Sequence, residues 1–121
     1  METPNRIADT VFIFLDDIRQ PPSDDSWVVV RTTPEAYETI RRLTKMGVDM
    51  VVSLDHDLGQ DEHGNNLDSG YDLLNWLEKD IATDDQFRPS IAFKIHSANP
   101  VGRQNMDRAI GAIYRRLGCS N

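Results

Sequence analysis

Three segments of this chain place titratable side chains directly after short apolar runs. Asp16-Asp17-Ile18-Arg19 follows Val11 to Leu15, Asp55-His56-Asp57 follows Met50 to Leu54, and His96-Ser97-Ala98-Asn99 follows Ile91 to Ile95. Asp16, Asp17, Asp55 and Asp57 suit a hard divalent cation. Mg²⁺ and Mn²⁺ prefer carboxylate and carbonyl oxygens and complete their shells with water and phosphate. Grouped carboxylates repel one another, and a cation between them relieves the repulsion. His56 and His96 titrate near neutrality, so they can exchange protons with a reacting group or ligate a softer metal. His96 is the stronger acid–base candidate because it ends a buried run that can orient its ring. Alternation along an extended chain turns His56 away from the side shared by Asp55 and Asp57. A phosphate on such a cation would meet the start of a helix at Asn99-Pro100, where unpaired N–H groups favour anions. Arg19 and Arg103 are within reach of its oxygens. Taken singly, these residues have plainer explanations: Asp16 or Asp17 as turn caps, His96 as a hydrogen-bonded core histidine. Their coincidence after three separate runs carries the functional reading.

The elements that position these residues are legible in the pattern. The three runs, together with Trp27 to Val30, are short, continuous and rich in β-branched and aromatic residues, which fits buried strands covered on both faces. Helical spacing lies between and after them. Thr33-Pro34 reads as cap and first turn, Ala36, Tyr37, Ile40 and Leu43 follow, and Gly47 ends the helix. Ser69 with Asp72 forms a capping box before Leu73, Leu74, Leu77 and Ile81. A third helix opens at Asn99-Pro100, carries the stripe Met106, Ile110, Ile113 and Leu117, and stops at Gly118. Strands separated by helices predict right-handed crossovers and a parallel sheet in a three-layer α/β sandwich. Asp17 to Ser26 contains Pro21-Pro22 and predicts a loop between the first two strands. In such a sheet, ligands bind beyond the carboxyl ends of the strands, where the three polar segments fall.

Composition bounds the function. The 121 residues suit one domain over 1–121, with its core at about 10–118, and 39% hydrophobic against 27% charged residues excludes wholesale disorder. The longest apolar run, Val11 to Leu15, is far short of the roughly 18–20 residues of a membrane helix. The first residues show no secretory pattern, and the single Cys119 fits a reducing compartment, so the expected location is cytoplasmic. A net charge of −7 argues against binding long duplex nucleic acid, whose affinity comes from Lys and Arg. It leaves room for a small phosphorylated ligand. The charge is also divided: Lys79 is the one basic residue in 55–85, whereas 86–121 carry Arg88, Lys94, Arg103, Arg108, Arg115 and Arg116 against Asp107 alone. A solvated pair of faces explains most of these charges. The stretch Gly59 to Gly70, GQDEHGNNLDSG, is a long loop of the kind that is often functional, with His63 facing solvent.

Asp16-Asp17, Asp55 and Ser97 resemble the acidic pair, the phosphoacceptor and the Ser/Thr of two-component receiver domains. The chain departs from receivers in having a Pro-rich loop for the first helix and no fifth strand ending in lysine. Lys94 lies inside a strand, and DHD and HSAN are unusual there. Four blocks in order, LDDIRQPP, SLDHDLG, SGYDLLNWL and HSANPVGRQNM, resemble the cyclic-phosphate-processing receiver-like family over roughly residues 10 to 110. That family is a divergent, mostly bacterial and phage group of small α/β proteins. The resemblance implies a receiver-like, flavodoxin-like fold with a short, mostly parallel four-stranded sheet. It implies metal-assisted processing of cyclic or terminal phosphates on nucleotides or RNA ends. Asp16, Asp17, Asp55 and Asp57 would bind the metal, with Asp55 also in the catalytic set. His56 and His96 would serve as acid and base, and Ser97, Asn99 and Arg103 would meet the phosphate.

The expected activity is therefore a phosphoric-ester hydrolase using Mg²⁺ or Mn²⁺ on a small phosphorylated nucleotide or an RNA terminus. Two other classes compete with it: a signalling receiver phosphorylated on Asp55, and a module that binds a phosphorylated nucleotide without chemistry. Oligomeric state is left open, since every apolar stripe can be used internally.

Overall fold

Four runs of β-branched and aromatic residues become four parallel strands. The computed structural model of the chain describes residues 10–17, 19–21, 27–55, 63, 69–96 and 100–118. In chain order the elements are β1 (Val11–Leu15), β2 (Trp27–Val30), α1 (Thr33–Lys45), β3 (Met50–Leu54), α2 (Gly70–Thr83), β4 (Ile91–Ile95) and α3 (Pro100–Arg116). The sheet order is β2-β1-β3-β4, with Leu15 opposite both Val30 and Leu54, and Leu54 opposite Ile95. This is the receiver-like α/β fold that the sequence predicts. Among the described residues no helix joins β1 to β2 and no fifth strand follows α3. None of the helices described is long and apolar enough to cross a membrane.

Among the described residues the three helices share one face of the sheet. The crossovers β2-α1-β3 and β3-α2-β4 step across the sheet in the same direction, so their common right hand puts α1 and α2 on one face. α3 packs beside α2, and Tyr114 of α3 meets Phe93 at 6.2 Å between ring centroids. One core results, joining Ile13, Leu15, Val30, Met50, Val52 and Leu54 of the strands to Ala36, Ile40, Leu73, Leu74, Leu77, Ile81, Met106 and Ile113 of the helices. Each such aliphatic side chain is worth roughly 1.5–3 kcal/mol of burial. The alternate strand positions form the other face, where Phe12, Ala92 and Lys94 are exposed. On that same face Phe14 and Ser53 are buried. Phe12 and Phe14 meet Trp27 edge-on, with centroids 5.6 and 5.7 Å apart.

The helix ends bear on the site. Thr32, not Thr33, caps α1, accepting the Glu35 N–H. The Thr33 hydroxyl is released for another task and donates to the Ser69 carbonyl at 3.0 Å. Ser69 caps α2 in the predicted box with Asp72. The two helix starts are thus tied together at the carboxyl edge of the sheet. Gly47 and Gly118 follow α1 and α3 with φ of 72° and 80°, the left-handed conformation that ends a helix at little cost to glycine.

On the outer seam of α1 and α2, the Tyr37 hydroxyl donates to Asp80, which also accepts from Arg41 at 2.7 Å. The Arg41 guanidinium lies 4.7 Å from the centroid of the Phe87 ring. The hydrogen bond to Asp80, and then burial, hold the Tyr37 hydroxyl above its ordinary pKa of about 10. A raised folded-state value means that the contribution to stability is complete below the unfolded value and is lost as pH rises through the folded one. In an absorbance titration, the phenolate component that disappears in Tyr37→Phe should therefore ionise above free tyrosine and move down in Asp80→Ala. No movement would contradict the pairing.

Gly70, the first residue of α2, lies so close to β3 that a Cβ there would come within 2.3 Å of the Asp55 carbonyl oxygen. Gly111, inside α3, would meet only the tip of Arg115 at 3.3 Å. Alanine usually stabilises a helix over glycine by about 0.5–1 kcal/mol, and Gly111→Ala should follow that rule. Gly70→Ala should reverse the sign, costing about 1–3 kcal/mol as the backbone after β3 is pushed aside. Urea unfolding of the two variants checks the opposite signs.

Candidate metal centre

The sheet's hydrogen bonding runs one residue beyond the strands and holds the site by its backbone. Asp16 N–H donates to Val30 O at 3.2 Å, Asp55 N–H to Leu15 O at 3.0 Å, and His96 N–H to Leu54 O at 2.9 Å. Asp16 and Asp55 are buried, at 0% and 9% exposure, and Asp17 is half-buried. One carboxylate oxygen from each of Asp16, Asp17 and Asp55 lies within 4.8 Å of the others. Oxygens around a single Mg²⁺ or Ca²⁺ span at most roughly 4–5 Å, twice the metal–oxygen distance. Hard oxygen donors at that spacing fit a divalent cation of this type.

Asp16 is held at both carboxylate oxygens. Its Oδ1 accepts the Arg19 backbone N–H at 2.9 Å, and its Oδ2 lies 3.0 Å from His96 Nε2. The other ring nitrogen, Nδ1, is 2.7 Å from the Ser53 hydroxyl. The imidazole stacks on Phe14 with centroids 4.4 Å apart and planes 5° from parallel. Both nitrogens of His96 are thus engaged within the protein.

Arginines frame this edge. The Arg19 guanidinium donates to His96 O, and that of Arg103 to Ile95 O, both at 3.1 Å, which brings two cations to successive carbonyls at the end of β4. Arg31 donates to Asp16 O at 3.0 Å and Arg19 O at 2.7 Å, pinning the turn after β1, while its own N–H donates to Glu35.

Of the residues that the sequence singled out, the structure brings Asp16, Asp17, Asp55, His96 and Arg19 together and sets Arg103 at the adjoining end of β4. His56, Asp57, Ser97 and Asn99 lie outside the described residues. Ser53, Arg31 and Phe14 were not anticipated. Each carried a signal. Ser53 is the one polar residue in its run and shares a face with Asp55 by alternation, as Phe14 does with Asp16. Arg31 follows β2 as Asp16 follows β1. Every buried side-chain nitrogen and oxygen among the described residues has a hydrogen-bond partner.

A family model described as the cyclic-phosphate processing receiver domain matches residues 11–112, which include all four strands and most of α3. No curated protein and no solved structure matches the chain significantly. The match runs from the first strand through the acidic cluster and His96 into the last helix. With that extent of agreement, the chain belongs to the cyclic-phosphate processing receiver domain family.

Proposed function

We propose that this protein is a metal-dependent phosphoesterase that processes cyclic or terminal phosphates of nucleotides or RNA ends, in the cytoplasm. The observation that carries the reading is the convergence of Asp16, Asp17 and Asp55, two of them buried, at the carboxyl edge of a sheet in this family. These three carboxylates would hold Mg²⁺ or Mn²⁺, with Asp57 as a further ligand. A divalent cation so held neutralises phosphoryl oxygens and lowers the pKa of a bound water. Arg19 and Arg103 supply the positive charge that grips the remaining oxygens, aided by Ser97 and Asn99. In the ring-opening step, water oxygen bonds to phosphorus as one ester P–O bond breaks. The departing alkoxide takes up a proton, and the attacking water loses one. His96 Nε2 lies on Asp16, so it reaches a substrate only by leaving that carboxylate. In this reading His96, on leaving Asp16, and His56 share the two proton transfers.

A second reading has a specific observation behind it. Asp55 directly follows β3 beside the Asp16-Asp17 pair, the position of the phosphoacceptor in receivers. Acyl phosphorylation there would make the protein a signalling module.

One experiment separates these readings. Chelated protein is incubated with 2′,3′-cyclic nucleotides and a cyclic-phosphate-ended oligonucleotide, with and without Mg²⁺ or Mn²⁺, and the products are resolved by chromatography. Metal-dependent ring opening is expected. Asp55→Asn should slow it by roughly 100-fold or more, the size of losing a charge-stabilising group, without unfolding the protein. Full activity in that variant would remove Asp55 from the mechanism. Ligand-dependent thermal stabilisation without product would identify a binding module, and phosphoryl mass added by acetyl phosphate and Mg²⁺ would identify a receiver.

A further inference from the structure

We propose that Ser53 and His96 are positioning residues that aim the Asp16 carboxylate and, through it, set the affinity of the centre for a divalent cation. The inference rests on the metal reading above. Its own ground is a chain of three contacts, Ser53 Oγ to His96 Nδ1 at 2.7 Å, His96 Nε2 to Asp16 Oδ2 at 3.0 Å, and Arg19 N–H to Asp16 Oδ1 at 2.9 Å.

The roles along the chain follow from donor and acceptor counting. An ionised carboxylate only accepts, so His96 Nε2 carries the hydrogen. In the neutral ring Nδ1 is then an acceptor, and the Ser53 hydroxyl donates to it. Asp16 thereby selects the tautomer, and Ser53 completes the chain by donating to Nδ1. Phe14 clamps the ring plane through its 4.4 Å stack. Ser53 and Asp16 are buried, at 6% and 0% exposure, so water competes poorly for these bonds. Two donors from different elements fix the plane of the carboxylate. Each of its oxygens has two lone pairs, so accepting one N–H does not exhaust it as a ligand. Histidine held by a second group while it serves a carboxylate is the kind of outer support whose loss weakens metal binding by about 10–100-fold.

The test uses the full chain and Mn²⁺ alone, with free Mn²⁺ counted by electron paramagnetic resonance in a titration. His96→Phe keeps a ring against Phe14 and has no donor, whereas His96→Gln loses the stack but places an amide N–H near the position of Nε2. Positioning predicts that His96→Phe weakens Mn²⁺ binding by about 10-fold or more and that His96→Gln retains most of it. A role in packing alone predicts the reverse order. Ser53→Ala takes the donor from Nδ1 and should weaken binding, and the nitrogen-15 resonance of His96 Nδ1 should shift from its position in the parent protein. If His96→Phe does not fold, Ser53→Ala decides by the same two readouts. Unchanged affinity in His96→Phe or Ser53→Ala, with the parent protein binding Mn²⁺, overturns the positioning roles and leaves the metal reading intact. Failure of the parent protein to bind Mn²⁺ overturns both.

Discussion

The common register of three parallel strands sets where everything else in this protein can be. Leu15, Leu54 and Ile95 lie side by side across β1, β3 and β4, and the ladder continues one residue further on each strand. Asp16, Asp55 and His96 therefore leave the sheet at one height, with their backbones still held by it. A slip of one residue in any strand would turn its outgoing side chain to the opposite face. It would also bring core positions such as Val52 or Ile13 out of the interior. The hydrophobic contacts that stabilise the fold and the geometry of the acidic cluster are thus enforced by the same pairing.

Burying carboxylates is costly unless their hydrogen bonds are replaced. The structure meets that demand with groups that also shape the site. Arg19 contributes its backbone N–H to Asp16 and its side chain to the end of β4, and Arg31 ties the same turn to β2. His96 is both a hydrogen-bonded core histidine and a part of the site. The plain and the functional readings of that residue are two descriptions of one set of contacts. The closeness of Gly70 to the Asp55 carbonyl belongs to the same economy of space, since it lets the capped start of α2 abut the acidic edge.

Compared with receivers, the chain keeps its three described helices in one layer. Where a fifth strand would extend the sheet, α3 supplies side chains to the outer edge of β4. The Phe93 N–H donates to the Tyr114 hydroxyl at 2.9 Å, and Ile95 O accepts from Arg103. Exposed strand edges invite pairing with other chains, and these two contacts occupy part of the edge. They also locate Arg103. Its guanidinium stands at the end of β4 because a backbone carbonyl there is open to it, which places positive charge next to the cluster.

Much of this was legible in the residue pattern. The four strands coincide with the four apolar runs, because short β-branched runs bounded by polar residues have few other uses. The Ser69–Asp72 box and the glycine after α1 were equally clear, since capping is local chemistry read within a few residues. Strand ends can also be aligned from sequence, so Asp16, Asp17, Asp55 and His96 are legible as one edge, in a set that also includes His56 and Asp57, which lie outside the described residues. Local pattern does not report which face of a sheet is covered. An apolar run looks the same whichever side is packed, and so the face that the described helices share follows only from the crossovers. Nor does it report how side chains from distant segments meet. Thr33 and Ser69, or Ser53, His96 and Asp16, are far apart in the chain, and their hydrogen bonds exist only because parallel pairing brings those segments within about 3 Å. The sequence by itself determined the elements and the chemistry at their ends. The tertiary structure decided which of those groups hold one another, because that depends on distances created by packing.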